Sequence, residues 1–140
     1  MDTRLQNPTQ VMRIAVGLMA TLAGLDKFFN ILADWGSYLS PAAAHLLPFS
    51  TDVLMRIVGV VECAVGVSIL SAWPVIGAYV ASAWLFVVSM NLVIGGHFDV
   101  AARDVVLSIA AFTLARLIQV RDEFDVREET TAPVRHHLIA

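Results

Sequence analysis

The chain has 140 residues, of which 58% are hydrophobic and only 15% charged, against roughly a quarter charged in an ordinary soluble domain. This length allows one domain, and a formal net charge of −3 without a run of Lys or Arg argues against a nucleic-acid partner. The single cysteine, Cys63, excludes an internal disulfide and a C-x-x-C redox pair. We therefore expect an integral membrane protein of the all-α class, with the lipid bilayer as its main surroundings.

Four apolar segments of the length needed to cross a bilayer, about 20 residues, follow one another along the chain. Between Glu62 and Asp99 there is no Asp, Glu, Lys or Arg, so two spans share this stretch. Pro74 marks the turn between them, because proline ends one helix and is tolerated in the first turn of the next. The sequence predicts an antiparallel bundle of four membrane-spanning helices over residues 1–120: 9–33, 52–72, 74–94 and 102–120.

Two further segments do not have the composition of a span. Segment 34–49 contains Gly36, Pro41 and Pro48 among aromatic and leucine residues, so we expect it to lie on the membrane surface. Segment 121–140 is charged, and we expect a cytoplasmic tail that extends the last helix and then becomes disordered.

The positions of the basic residues predict the orientation in the membrane. Most of them flank the start of the first span and the end of the fourth, and segment 34–51 has no Lys or Arg. Arg56 and Arg103 weaken this bias slightly without reversing it. Positive charge is retained on the cytoplasmic side. We therefore expect a multi-pass protein of the inner (plasma) membrane with both termini in the cytoplasm.

Small residues recur at helical spacing and predict which helix faces pack together. The first span carries Arg13, Gly17, Ala20, Gly24 and Lys27 on one stripe, and the second carries Gly59, Glu62 and Gly66. Such stripes let two helix backbones approach closely in a membrane.

The polar residues within the spans gather toward the predicted outer side. A charge at the centre of a bilayer costs about 3 kcal/mol on insertion scales, so these groups must be paired or line a wet cavity. Trp84 is added because its ring could form the wall for a flat ligand such as a quinone. The candidates for substrate binding or proton relay are Asp26, Lys27, Glu62, Trp84, Asn91, His97, Asp99, Arg103 and Asp104.

A purely structural interpretation of the same charges stays open. Lys27 with Glu62, and Arg103 with Asp26 or Asp104, could neutralise one another and only fix the register of the helices. His97 and Asp99 could bind a metal or relay protons, but with one histidine in this loop we expect no metal site.

One set of positions within residues 11–120 carries a resemblance to a known family: Arg13, Gly17, Gly24, Lys27, Glu62, Gly66, Asn91, Gly96, Asp99, Arg103 and Asp104. In these positions the chain resembles the DoxX-like family of small four-helix membrane proteins. The resemblance implies a membrane subunit of a redox system, since relatives include the quinone-reducing partner in thiosulfate oxidation and subunits linked to defence against oxidative stress.

The leading hypothesis is thus a redox-associated membrane subunit whose outward-facing polar pocket takes a quinone or a small polar substrate. No haem, flavin or cysteine-cluster motif occurs in the chain, so electrons would come from a partner, either a larger membrane complex or another copy. The alternative is a non-catalytic structural or assembly subunit of such a complex. A small oligomeric transporter is a third possibility, and whether the chain is an enzyme stays open.

Overall fold

Helices joined by short connections make up the computed structural model, which describes residues 3–46 and 48–136. In chain order they are α1 (Thr3–Phe29), a 3₁₀ helix (Trp35–Tyr38), α2 (Pro41–Leu46), α3 (Thr51–Leu70), α4 (Pro74–Ile94) and α5 (Phe98–His136). No strand occurs in these two ranges. The predicted all-α class is confirmed.

Local chemistry accounts for the starts of α3 and α4. The Ser50 hydroxyl accepts a hydrogen bond from the backbone N–H of Val53 and so caps α3. Pro74 occupies the first turn of α4 directly after Trp73, where its missing N–H has no partner to lose. Both helices lie within two residues of their predicted bounds.

α1 and α5 differ from their predicted bounds. α1 begins at Thr3 and ends at Phe29, four residues before the predicted end, because Asn30 adopts a positive φ of 50° that stops a right-handed helix. α5 begins at Phe98 and continues without a break through His136. Residues 121–136 therefore belong to this long helix, whereas residues 137–140 of the predicted tail lie outside the described ranges.

Glycines bring α1 and α3 together in antiparallel fashion. A Cβ on Gly24 would lie 2.7 Å from the Gly59 carbonyl oxygen and 2.7 Å from the Cys63 backbone nitrogen. Gly17 lies against Gly66 in the same way, at 2.7 Å from Cβ of Gly66 to the Gly17 oxygen. These distances leave no room for a side chain, so the predicted small-residue stripes of the two helices are confirmed as their contact surface.

α4 and α5 form the second closely packed pair. The Ser108 hydroxyl on α5 donates to the Ser82 carbonyl oxygen on α4 at 2.8 Å, and the Tyr79 hydroxyl donates to the Gln119 side chain at 2.8 Å. Fully buried Leu114 and Ile118 fill the core next to them. The two pairs also touch each other, through α3 with α4 and through α1 with α5.

Arg13, in the first half of α1, joins this helix to the end of α3. Its guanidinium donates hydrogen bonds to the carbonyl oxygens of Ile69, Leu70 and Ser71 at 2.7, 2.9 and 2.6 Å. These carbonyls have no partner within the helix, and a cation there is favoured by the helix dipole. Arg13 therefore acts as the C-terminal cap of α3.

Two helices, α3 and α4, are long and apolar enough to cross a membrane. Their mean hydropathies over the best window are 2.1 and 1.7, and only 22% and 28% of those windows are buried. α1 and α5 are interrupted by charged residues, among them Arg13 and Lys27 on α1 and Asp104 and Arg116 on α5. The composition of the described helices thus supports two of the four predicted spans directly.

Candidate functional site

A cavity of about 620 Å³ lies between the α1–α3 pair and the α4–α5 pair. It occupies the end of the helices at which α1 and α4 end and α3 and α5 begin, beneath segment 30–43; we call this the loop end. Its wall is mostly apolar, with Leu22, Val58, Leu85, Val88 and Leu107 among the lining side chains. The volume falls in the range of small-molecule sites, roughly 300–1,000 Å³.

Six of the nine predicted candidates line this cavity. They come from all four long helices, and their convergence depends on the antiparallel packing described above. They are Lys27, Glu62, Trp84, Asn91, Arg103 and Asp104. The other three, Asp26, His97 and Asp99, lie outside the lining.

Lys27 and Glu62 form the central charged pair. The Lys27 Nζ lies 2.5 Å from Glu62 Oε2, and the two side chains are only 6% and 12% exposed. The same ammonium lies 3.8 Å from the centre of the Trp35 ring, a cation–π contact. The pairing that the sequence left open between these two residues is therefore present.

Asp104 adds a second buried carboxylate beside this pair. The residue as a whole is 5% exposed and lines the cavity together with Lys27 and Glu62. Its Oδ1 accepts hydrogen bonds from Arg103, at 3.0 Å from Nε and 3.0 Å from the terminal nitrogen. Because the Arg103 side chain is 57% exposed and that of Asp104 only 7%, the guanidinium marks the rim of the cavity.

Asp26 positions the loop over the cavity. Its buried carboxylate accepts hydrogen bonds from the backbone N–H groups of Ile31 and Leu32 and, at 2.7 Å, from Trp35 Nε1. These bonds fix the Trp35 ring over the Lys27 ammonium. Asp26 therefore acts through Trp35, without lining the cavity.

Asn91 holds the next part of the same loop. Its Nδ2 donates to the Tyr38 carbonyl oxygen at 3.0 Å, and its Oδ1 accepts from the Ser40 N–H at 3.1 Å. Both functional groups of the amide are thus used to attach segment 38–40 to the end of α4. Tyr38 in turn lines the cavity.

Trp35 and Tyr38 are cavity residues that the sequence interpretation missed. Both were assigned to a segment lying on the membrane surface, whereas the structure turns them over the loop end. The sequence carries no local signal for this contact, because Trp35 follows Asp26 by nine residues, beyond the range of the local side-chain-to-backbone hydrogen bonds that an aspartate makes.

His97 and Asp99 do not reach the cavity. The His97 ring lies edge-on to the Tyr38 ring with 5.0 Å between centroids. Asp99 is exposed in the first turn of α5, where a carboxylate is favoured by the helix dipole. Among the described residues there is no group of three or more His, Cys, Asp or Glu that could hold a metal ion.

Trp84 places its indole in the lining of the cavity. Its Nε1 is buried and makes no hydrogen bond to any described residue, although it lies near the Glu62 carboxylate. A buried donor without an acceptor costs about 1–3 kcal/mol. Trp84 Nε1 is therefore a buried donor in this site that could still form a hydrogen bond with a ligand.

Together these groups suit a mainly apolar molecule with a polar end. The apolar wall would bury its body, and the titratable groups Lys27, Glu62 and Asp104 could hold or pass protons beside its polar end. Comparison of the chain with protein-family models, with curated proteins and with solved structures finds no match. The resemblance to the DoxX-like group accordingly stays a proposal.

Proposed function

We propose that the chain is a membrane protein whose α1, α3, α4 and α5 all cross the bilayer. The support comes from their surfaces, on which large apolar side chains are widely exposed. Ile14 on α1, Val60 on α3, Val87 on α4 and Ile109 on α5 are 51%, 59%, 61% and 61% exposed. Exposed apolar surface of this extent is rare on a soluble monomer and is typical of contact with lipid.

The charges of α1 and α5 are compatible with this placement because they are compensated. Lys27 is paired with Glu62, Asp104 is paired with Arg103, and Arg13 is bonded to three carbonyl oxygens. Buried charges in membrane proteins are tolerated where they face neighbouring helices and are paired. With most of the basic residues, among them Arg13, Arg116 and Arg121, at the opposite end, the loop end would face outward and both termini the cytoplasm.

Within that membrane protein, we propose that the cavity binds a quinone for a redox system to which the chain contributes one subunit. The observation that supports this most is the cavity itself, which combines an apolar wall with a buried ion pair and an unpaired indole N–H. A quinone has a flat apolar ring and carbonyl oxygens that accept hydrogen bonds. A small polar substrate would gain less from a wall of Leu, Val and Met side chains.

The chain's own residues would bind and orient the ring and hold protons near its oxygens. Trp84 and the apolar wall would contact the ring, and Lys27 and Glu62 would keep a proton beside it. A quinone supplies the capacity to take up electrons, which would come from a partner protein. Such a partner fits the redox role that the resemblance to the DoxX-like family implies.

A structural role in a larger complex is the second candidate, and the Lys27–Glu62 pair favours it. The pair is nearly enclosed and mutually satisfied, as expected for charges that fix helix register. In this case the cavity residues would matter for assembly, and no ligand would bind between the two helix pairs.

Purification from native membranes in a mild detergent separates these two functions. Retention of the chain in membranes after carbonate extraction tests insertion first. The quinone content per purified chain is then compared among the wild type, Glu62→Gln and Lys27→Met, with Asp99→Asn as the matched control because Asp99 is exposed and outside the cavity.

We expect the wild type and Asp99→Asn to retain quinone and both cavity variants to lose most of it while still assembling. Equal quinone content in all four proteins would contradict the binding function. Absence of quinone together with a fixed-ratio complex that the cavity variants disrupt would establish the structural one.

A further inference from the structure

Among the buried side-chain donors that line the cavity in the described part of the chain, one makes no hydrogen bond and is left for a ligand. Both groups of the Asn91 amide are used on segment 38–40. The Lys27 ammonium is enclosed between the Glu62 carboxylate and the Trp35 ring, and the Trp35 N–H donates to Asp26. Trp84 Nε1 is buried and makes no hydrogen bond within the described residues.

The nearest protein acceptor does not satisfy this donor. Glu62 is close to the indole, but Trp84 Nε1 reaches hydrogen-bonding geometry with neither of its carboxylate oxygens. Since buried polar groups in folded proteins are nearly always bonded, an acceptor placed in the cavity would complete the site.

The wall of the cavity indicates the kind of molecule that carries this acceptor. Leu22 and Val87 line the cavity and are also 57% and 61% exposed on the outer surfaces of α1 and α4. Apolar side chains therefore continue from the cavity to the part of the surface that we place in lipid. A ligand that reaches the cavity along this surface must itself dissolve in lipid.

We propose that Trp84 Nε1 donates a hydrogen bond to a carbonyl oxygen of a lipid-soluble ring compound, and that this bond determines which such compounds the cavity selects. The inference rests on the proposed quinone function and adds to it the residue that recognises the ligand. The charged pair then holds Trp35 and with it the loop, while the apolar wall binds ring and tail without distinguishing a carbonyl compound from a hydrocarbon.

Matched ligands test this recognition on the full chain in lipid nanodiscs. The probes are an alkyl-1,4-benzoquinone and an alkylbenzene with the same alkyl chain, and binding to empty nanodiscs is subtracted. The variant is Trp84→Phe, which keeps an aromatic ring and removes the N–H. The control is Trp73→Phe, because Trp73 is 68% exposed and precedes α4 at the end away from the cavity.

We expect the wild type and Trp73→Phe to bind the benzoquinone about tenfold more tightly than the alkylbenzene, the difference expected for one net hydrogen bond. Trp84→Phe should lose this preference, with alkylbenzene binding unchanged within about twofold and helix content by circular dichroism equal to that of the wild type. Retention of the preference in Trp84→Phe would overturn the role of Trp84 while leaving the quinone function standing. A wild type that binds neither probe would overturn both the role of Trp84 and the quinone function. Equal binding of the two probes to the wild type would overturn the recognition by Trp84.

Discussion

The Lys27–Glu62 pair makes a quantitative prediction about stability. Removing one partner leaves the other charge almost fully enclosed, since the side chains are 6% and 12% exposed, and such a change costs about 3–5 kcal/mol. Lys27→Met also removes the cation–π contact with Trp35, worth about 0.5–2 kcal/mol. Replacing both residues removes both charges, and an apolar pair in their place is often neutral or stabilising.

A double-mutant cycle measures this coupling. Lys27→Met, Glu62→Met and the double variant are unfolded reversibly in mixed detergent micelles, with helix content followed by circular dichroism. We expect each single variant to lose about 3 kcal/mol or more, the double variant to lose less than either, and a coupling energy of at least about 2 kcal/mol.

The exposed pair Arg121–Asp122 provides the control cycle. Its charged atoms lie 2.7 Å apart, close to the 2.5 Å of Lys27–Glu62. Its side chains are 26% and 54% exposed, so water screens the interaction and we expect a coupling below about 1 kcal/mol. The enclosure of the Lys27–Glu62 pair would be refuted if each single variant lost less than about 1 kcal/mol of unfolding free energy and the double variant lost the sum of the two.

Three other predictions concern packing and the loop. Gly24→Ala should destabilise the protein by about 1–3 kcal/mol because its Cβ meets the backbone of α3, whereas Gly95→Ala, with its nearest contact at 3.3 Å, should change the unfolding free energy little. Arg13→Met should cost about 1–2 kcal/mol in the same assay, because three carbonyl oxygens at the end of α3 lose their donor; no loss would show that solvent or lipid headgroups replace the cap. Asp26→Ala should release Trp35 from Lys27, so acrylamide should quench the Trp35 fluorescence more strongly. The measurement uses a protein in which the other two tryptophans are replaced by Phe. Unchanged quenching would contradict the positioning role of Asp26.

Sequence periodicity was sufficient to predict which residues face one another. Gly17 and Gly24 follow helical spacing with Lys27, and Gly59 and Gly66 follow it with Glu62. In an α-helix this spacing alone puts side chains on one stripe, so the faces that α1 and α3 use for contact could be anticipated, whereas their pairing with each other is given by the structure. The charged pair followed from the same stripes because it lies beside the glycine contacts.

The loop and the helix ends could not be predicted in this way. Trp35 and Tyr38 reach the cavity because Asp26 and Asn91 bond to the loop, and such contacts depend on a backbone path that periodicity does not specify. Asn30 ends α1 through a left-handed conformation that asparagine tolerates but does not require. The four-span arrangement and the quinone function remain predictions from the sequence.

Photo-crosslinking in intact membranes tests the central claim, a ligand cavity between the two helix pairs, most directly. A lipid-soluble azidobenzoquinone is activated by light, and the labelled residues are identified by peptide mass spectrometry with and without excess unlabelled benzoquinone. We predict competed labelling of cavity residues from different helices, such as Met19, Met55 and Leu85. Labelling that excess quinone does not reduce, or that falls equally on outward-facing Ile76 and Phe112, would contradict the claim.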